Sequence, residues 1–165
     1  MRTFAFTEHD HRHCVREALR AAERICRVRG LRLTPLRKRV FELVWDSHGP
    51  LGAYDVLDRL RTGPRRAAPP TVYRALQFLT EAGLVHRIES RNAYVGCIRP
   101  ENDHAAQYLI CGDCGEVAEI EVDAARQALG RRAKALAFTI ERQVIEVVGR
   151  CSRCGDGRDD GARHG

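Results

Sequence analysis

With 165 residues, 44% hydrophobic and 30% charged, the chain has the size of one or two small domains and the composition of a soluble globular protein. No apolar run approaches the ~20 residues that cross a bilayer, and residues 1–14 lack the apolar stretch of a secretory leader, so no membrane partner and a cytoplasmic location are expected. Lys and Arg (28) outnumber Asp and Glu (22), a net charge of +6 that suits an anionic partner such as nucleic acid without requiring one.

In chain order, residues 1–13 are polar and His-rich, and a flexible arm is expected there. Over residues 14–29, Val15, Ala18, Leu19, Ala22, Ile25 and Cys26 recur at helical spacing, and Gly30 ends the helix. Thr34 is placed to cap a second helix opened by Pro35, with Leu36, Val40, Leu43 and Val44 inward. Gly49-Pro50 breaks the pattern, and a third helix follows over 53–61 with Val56, Leu57 and Leu60 inward. Residues 62–69 read as a basic loop. A fourth helix starts at Pro70-Thr71, buries Val72, Ala75, Leu76 and Leu79, and stops at Gly83.

Past Gly83 the period changes to two. Residues 85–90 and 93–97 read as strands joined near Arg91-Asn92. Helices followed by such a hairpin make a winged helix-turn-helix. After a polar linker (99–105), the pattern is strand (107–111), strand (116–122), helix (123–136), strand (138–148). This α+β unit is too small to bury much apolar area alone and needs a staple, a partner, or both. The expected organisation is an arm (1–13), a winged-helix DNA-binding domain (14–98), a linker (99–105), a small α/β dimerisation and zinc-binding domain (106–154) and a disordered tail (155–165).

Seven cysteines in a chain expected in a reducing compartment favour metal ligation over disulfides. Cys111-x-x-Cys114 and Cys151-x-x-Cys154 each aim two thiolates at one point, and together they compose a tetrahedral four-sulfur set suited to Zn²⁺. Disulfides or a redox Cys-x-x-Cys are the alternatives, but a redox motif needs one reactive pair opening a helix, whereas here two matched pairs follow strands. A second, looser set is His86, Cys97, His104 and Glu119, drawn from the wing, the linker and the second domain. One thiolate, two imidazoles and a carboxylate make a four-coordinate zinc set. By spacing alone, His86 is equally an ordinary strand residue, Cys97 a buried thiol and Glu119 a solvated carboxylate.

At these residues the sequence resembles the ferric uptake regulator family and, within it, the branch of zinc uptake regulators. The matching segments are Arg32-Leu-Thr-Pro-Leu-Arg37, Ala53-Tyr-Asp55, Pro69-Pro-Thr-Val-Tyr-Arg-Ala-Leu76, Gly83-Leu-Val-His86, Cys111-Gly-Asp-Cys-Gly115 and the final Cys151-x-x-Cys154, across residues 14 to 154. The resemblance implies a homodimeric, metal-dependent repressor of metal-uptake genes. It puts structural zinc on Cys111, Cys114, Cys151 and Cys154, and regulatory zinc on His86, Cys97, His104 and Glu119. The iron-sensing branch carries consecutive histidines between positions corresponding to Pro100 and Cys111, where this chain has only His104. That difference, with Cys97 in the wing, favours zinc.

The fourth helix is then the expected reader of double-stranded operator DNA. Thr71, Arg74 and Gln77 share its outward face, flanked by Tyr73. Arg74 is the expected base contact, because its fork matches guanine O6 and N7. Tyr54, at the start of the third helix, is expected to touch a phosphate or a thymine methyl, and Lys38, Arg65 and Arg66 to position the backbone of the duplex, although a solvated surface charge is the usual role of any single cation. A dimer of such readers reads a palindrome. The rival readings are an iron- or peroxide-responsive regulator of the same family and, from another class, a zinc-dependent hydrolase, for which no His-Glu-x-x-His or nucleophile elbow is visible; no enzymatic activity is expected.

Overall fold

The computed structural model describes residues 11–47, 49–61, 68–101 and 106–155. Four helices come first: α1 (His11–Val28), α2 (Pro35–Asp46), α3 (Ala53–Arg61) and α4 (Pro69–Glu81). The short strand β1 (Leu51–Gly52) lies between α2 and α3, and the hairpin β2 (Val85–Ile88) and β3 (Ala93–Gly96) follows α4. These strands form a sheet of order β1-β3-β2, antiparallel throughout, with Leu51 opposite Tyr94 and His86 opposite Val95. This is the winged helix-turn-helix that the sequence predicts.

The stop signals act as their chemistry requires. Gly30 (φ +65°) and Gly83 (φ +69°) take the left-handed conformation after α1 and α4. In each case the next residue bonds back across the helix end, Leu31 N–H to Cys26 O at 2.8 Å and Leu84 N–H to Leu79 O at 2.9 Å. At the start of α2, Thr34 Oγ1 accepts from Arg37 N–H at 3.4 Å, and Pro35 occupies the first turn, where a missing N–H costs nothing. The inward faces of α1–α4 and the wing meet in one core built on Val40, Phe41, Val56, Val72, Leu76, Leu79 and Leu84.

The second unit comprises β4 (Ala106–Cys111), β5 (Val117–Ile120), α5 (Asp123–Ala135) and β6 (Val144–Gly149). Strand β4 is central, antiparallel to β5 and parallel to β6. The core here is thin. Tyr108 and Ile110 pack with Ile88 of the wing, α5 buries no residue, and Leu136, Phe138, Val147 and Val148 stand exposed.

A polar seam joins the two units. The Glu146 carboxylate on β6 accepts from the backbone N–H groups of Glu89 and Ser90, at 2.7 and 3.1 Å, in the 3-10 turn at the wing tip. Burial opposes the charged form of Glu146, but the Ser90 hydroxyl and those two N–H groups outweigh it and hold the carboxyl below the ordinary range. Arg142 bonds Glu89 at 3.0 Å, and Arg91 bonds the carbonyl of Cys111 at 3.0 Å.

Two boundaries differ from expectation. Helix α1 begins at His11, so residues 11–13, expected in the arm, are helical; His9 lies outside the described residues. The last strand starts at Val144, and residues 138–143 carry no regular structure. The cause sits at Ala137, which closes α5 in the left-handed region (φ +51°), with Phe138 N–H bonded to Ala133 O at 2.9 Å. This is the closure made after α1 and α4, but without the glycine that would have marked it. A Cβ in that conformation is strained, so Ala137→Gly should stabilise the fold by about 0.5–1 kcal/mol. The check is the urea midpoint; an unchanged or lower midpoint would show that Ala137 carries no strain.

Candidate metal centres and nucleic-acid face

The parallel pairing of β4 with β6 sets Cys111 opposite Gly149, so both Cys-x-x-Cys turns leave the same end of the sheet. Each turn is closed by its own backbone, Gly115 N–H to Cys111 O at 3.0 Å and Gly155 N–H to Cys151 O at 2.8 Å. The four sulfurs of Cys111, Cys114, Cys151 and Cys154 lie within 4.8 Å of one another. Cys114 Sγ and Cys151 Sγ are 3.7 Å apart. A disulfide needs about 2.05 Å, whereas thiolates about 2.3 Å from a shared Zn²⁺ sit ~3.8 Å apart at tetrahedral angles. All four cysteines are free thiols, and their spacing fits one zinc ion.

Their electrostatics show the same demand for a cation. The backbone N–H of Cys114, then that of Cys151, lower the Cys111 thiol to about 6 against the opposing effect of burial. Cys154, facing the sulfurs of Cys151 and Cys114, is pushed up to about 12. Four sulfurs this close cannot all be anionic unless positive charge is placed among them.

The second cluster joins three elements. His86 comes from β2, Cys97 follows β3 and is held by its N–H to Leu84 O at 3.1 Å, and Glu119 lies on β5. One ligand atom from each lies within 4.8 Å of the others. Cys97 is buried, and the His86 and Glu119 side chains are 18% and 8% exposed, with His86 Nε2 and Glu119 Oε1 3.9 Å apart. Nitrogen and oxygen ligands on one Zn²⁺, each about 2.1 Å away, are at most ~4.2 Å apart, so this pair fits a shared ion. The other oxygen of Glu119 accepts from Ile98 N–H at 3.3 Å. The fourth expected member, His104, lies outside the described residues.

Thr71, Tyr73, Arg74 and Gln77 are exposed on α4, and Tyr54 at the start of α3 is 72% exposed. Burial first, and then the neighbouring Tyr54 phenol, raise the Tyr73 phenol above its ordinary range. Gln77 donates to Glu81 at 2.9 Å. Lys38 is paired with Glu23 of α1, so any phosphate contact would have to compete with that carboxylate. Arg65 and Arg66 lie outside the described residues.

Sequence reasoning missed several residues around the clusters. Glu146, Arg142 and Arg91 carry no motif, because their role depends on pairing across more than fifty positions or on a single backbone carbonyl. Gly96 did leave a signal, as a lone glycine in a strand that marks a close approach. A Cβ added there would meet the Trp45 ring at 2.3 Å.

Comparison with known proteins fits this geometry. The ferric uptake regulator family model matches residues 28–148. The zinc uptake regulation protein of Escherichia coli (strain K12) is 42% identical over 139 residues, 84% of this chain and 81% of that protein. The structure of a zinc uptake regulator complexed with zinc and DNA aligns with TM-score 0.81 and 41% identity, covering 84% of this chain and 93% of that one. Holo XcZur aligns with TM-score 0.76 and 46% identity over 82% of this chain and 94% of its own. Apo XcZur, at 45% identity over 85% and 97%, aligns with TM-score 0.51, so the chain superposes better on the holo than on the apo form of that relative. With the winged helix, the paired cysteine turns and a match over most of its length, the chain belongs to the ferric uptake regulator family.

Proposed function

We propose that this chain is a zinc-responsive, DNA-binding repressor of zinc-uptake genes, acting in the cytoplasm as a zinc-loaded homodimer on palindromic operators. Its work in this reading is binding and not catalysis. The observation that carries the reading is the convergence of His86, Cys97 and Glu119 from the wing, its exit and the second sheet. The similarity to zinc uptake regulators, one of them bound to zinc and DNA, supports it.

Two sets of residues divide the work. Cys111, Cys114, Cys151 and Cys154 hold a structural ion at the end of the second sheet. His86, Cys97 and Glu119, with His104, hold a regulatory ion at the seam. When bound, Zn²⁺ supplies divalent charge that lets these ligands stay together in a partly buried place. The Cys97 thiolate separates zinc from the iron and manganese chemistry that imidazole and oxygen ligands prefer. Glu119 ties the wing exit to β5 through Ile98 N–H, so the orientation of the winged helix depends on that carboxylate.

The exposed apolar residues Leu129, Leu136, Phe138, Val147 and Val148 on and beyond α5 and on β6 form the face that a second copy would cover. Two paired copies carry two α4 helices, each offering Thr71, Tyr73, Arg74 and Gln77 to a major groove. Arg74 reads a guanine, Tyr54 and Lys38 meet the backbone, and Arg65 and Arg66 add positive charge for the phosphates.

Three outcomes test this reading. Cys97→Ser should remain a folded dimer yet lose at least tenfold in zinc-dependent operator affinity in a gel shift, and parental affinity would remove Cys97 from sensing. Arg74→Ala should weaken operator binding by about 1–3 kcal/mol and relax preference at one base pair of each half-site; a uniform loss across all sequences would make Arg74 a phosphate contact. Stripping the four-sulfur site with a strong chelator should remove folding free energy on the order of 10 kcal/mol. The second unit should then lose its circular-dichroism signal and the dimer dissociate, whereas a folded, zinc-free dimer would show that these cysteines do not staple the fold.

A further inference from the structure

Beside the candidate regulatory cluster lies a polar group to which the foregoing reading gives no task. Tyr108, at the centre of β4, is 0% exposed, and among the described residues its hydroxyl has no hydrogen-bond partner. An unmade buried hydroxyl is costly, and phenylalanine would fill the same space without that cost. A hydroxyl held at such a position implies a partner in another state of the molecule.

The strand register names the neighbours. Tyr108 lies directly opposite Glu119 on β5 and directly opposite Glu146 on β6. Its ring centre is 6.0 Å from that of His86. Glu146 has both oxygens engaged by the wing tip, Oε1 by Glu89 N–H and Oε2 by Ser90 N–H. Glu119 spends Oε2 on Ile98 N–H, and an ionised carboxylate offers about four lone-pair sites. A phenol ordinarily titrates at about 10, so the group is a donor at neutral pH.

We propose that Tyr108 is a positioning residue for the ion site, its hydroxyl donating to the Glu119 carboxylate when that carboxylate joins His86 and Cys97 around a metal ion. The inference rests on the regulatory-site reading above. The hydrogen bond selects the orientation of Glu119, fixing which oxygen faces the ion and which holds the wing exit. It also supplies the missing partner of the buried hydroxyl, so it forms only in the loaded state. Outer hydrogen bonds of this kind typically change metal affinity by about 10–100-fold when removed.

The test uses the full chain with its four-sulfur site filled and measures the affinity of the exchangeable Zn²⁺ by chelator competition. The proteins are the parent, Tyr108→Phe, Glu119→Ala and the double variant. Tyr108→Phe should weaken the exchangeable site about tenfold while the melting midpoint of the form lacking exchangeable metal stays equal or rises, because an unmade bond has been removed. In the Glu119→Ala background the same change should have no further effect. Tyr108→Met, which fills the space with another adaptable apolar side chain, should reproduce the loss of affinity if the Phe variant folds poorly. Unchanged zinc affinity in Tyr108→Phe, or a drop in the midpoint alone, would overturn the proposal. An undiminished effect in the Glu119→Ala background would overturn it too, by assigning the acceptor to Cys97. Cys97→Ser separates this outcome from failure of the site itself: if it leaves the exchangeable affinity intact, the ion lies elsewhere and both readings fall.

Discussion

A three-stranded sheet with one exposed helix cannot bury enough apolar surface to stand alone, and the second half of this chain is such a sheet. Tyr108 and Ile110 find cover by packing with Ile88 from the wing, with Val95, Val117 and Val144 at the margin. Leu129 of α5 and Val147 and Val148 of β6 stand exposed. Three features answer that deficit: sulfurs gathered at one end of the sheet, a polar seam against the wing, and exposed apolar side chains that a second copy would cover in the proposed dimer. Small domains lean on metals and partners for this reason. In the proposed function the same supports would put the DNA-reading half under the control of the ion-binding half.

The two halves accordingly differ in kind. The winged helix has a continuous core running from Ala22 to Tyr94, with α4 held from behind by Val72, Ala75, Leu76 and Leu79. The exposed residues of α4 proposed to read DNA are thus carried on a rigid element. The seam is made of few and mostly polar contacts: Glu146 on the wing tip, Arg91 on the Cys111 carbonyl and Glu119 on the wing exit. A rigid reader on a sparsely bonded joint is what an orientation-dependent switch requires, because only the joint has to move.

Much of this was legible in the sequence. Glycines at 30 and 83, Thr34-Pro35 and the apolar spacing of α1–α4 mark the helices through local chemistry, and the hairpin shows in a change of period. The four cysteines are legible because two turns of identical spacing have one economical explanation. The His86, Cys97 and Glu119 cluster was not legible from spacing alone, since its members lie on separate elements and meet only through tertiary folding. The resemblance to a family named them before the geometry brought them together. What stayed hidden depended on exceptions or on long range: Ala137 closing a helix where glycine is usual, Glu146 bonding backbone groups that any residue supplies, and Tyr108 reading as an ordinary core aromatic.

The contact between Gly96 and Trp45 has one more consequence. The chain contains a single tryptophan, and its indole presses against the backbone one residue before Cys97. No side chain larger than hydrogen fits at that point without displacing the ring, so the thiol's approach path is locked to the helix behind it. The protein therefore carries its own optical probe: light emitted by that solitary indole reports on the strand that delivers the cysteine, with no dye attached.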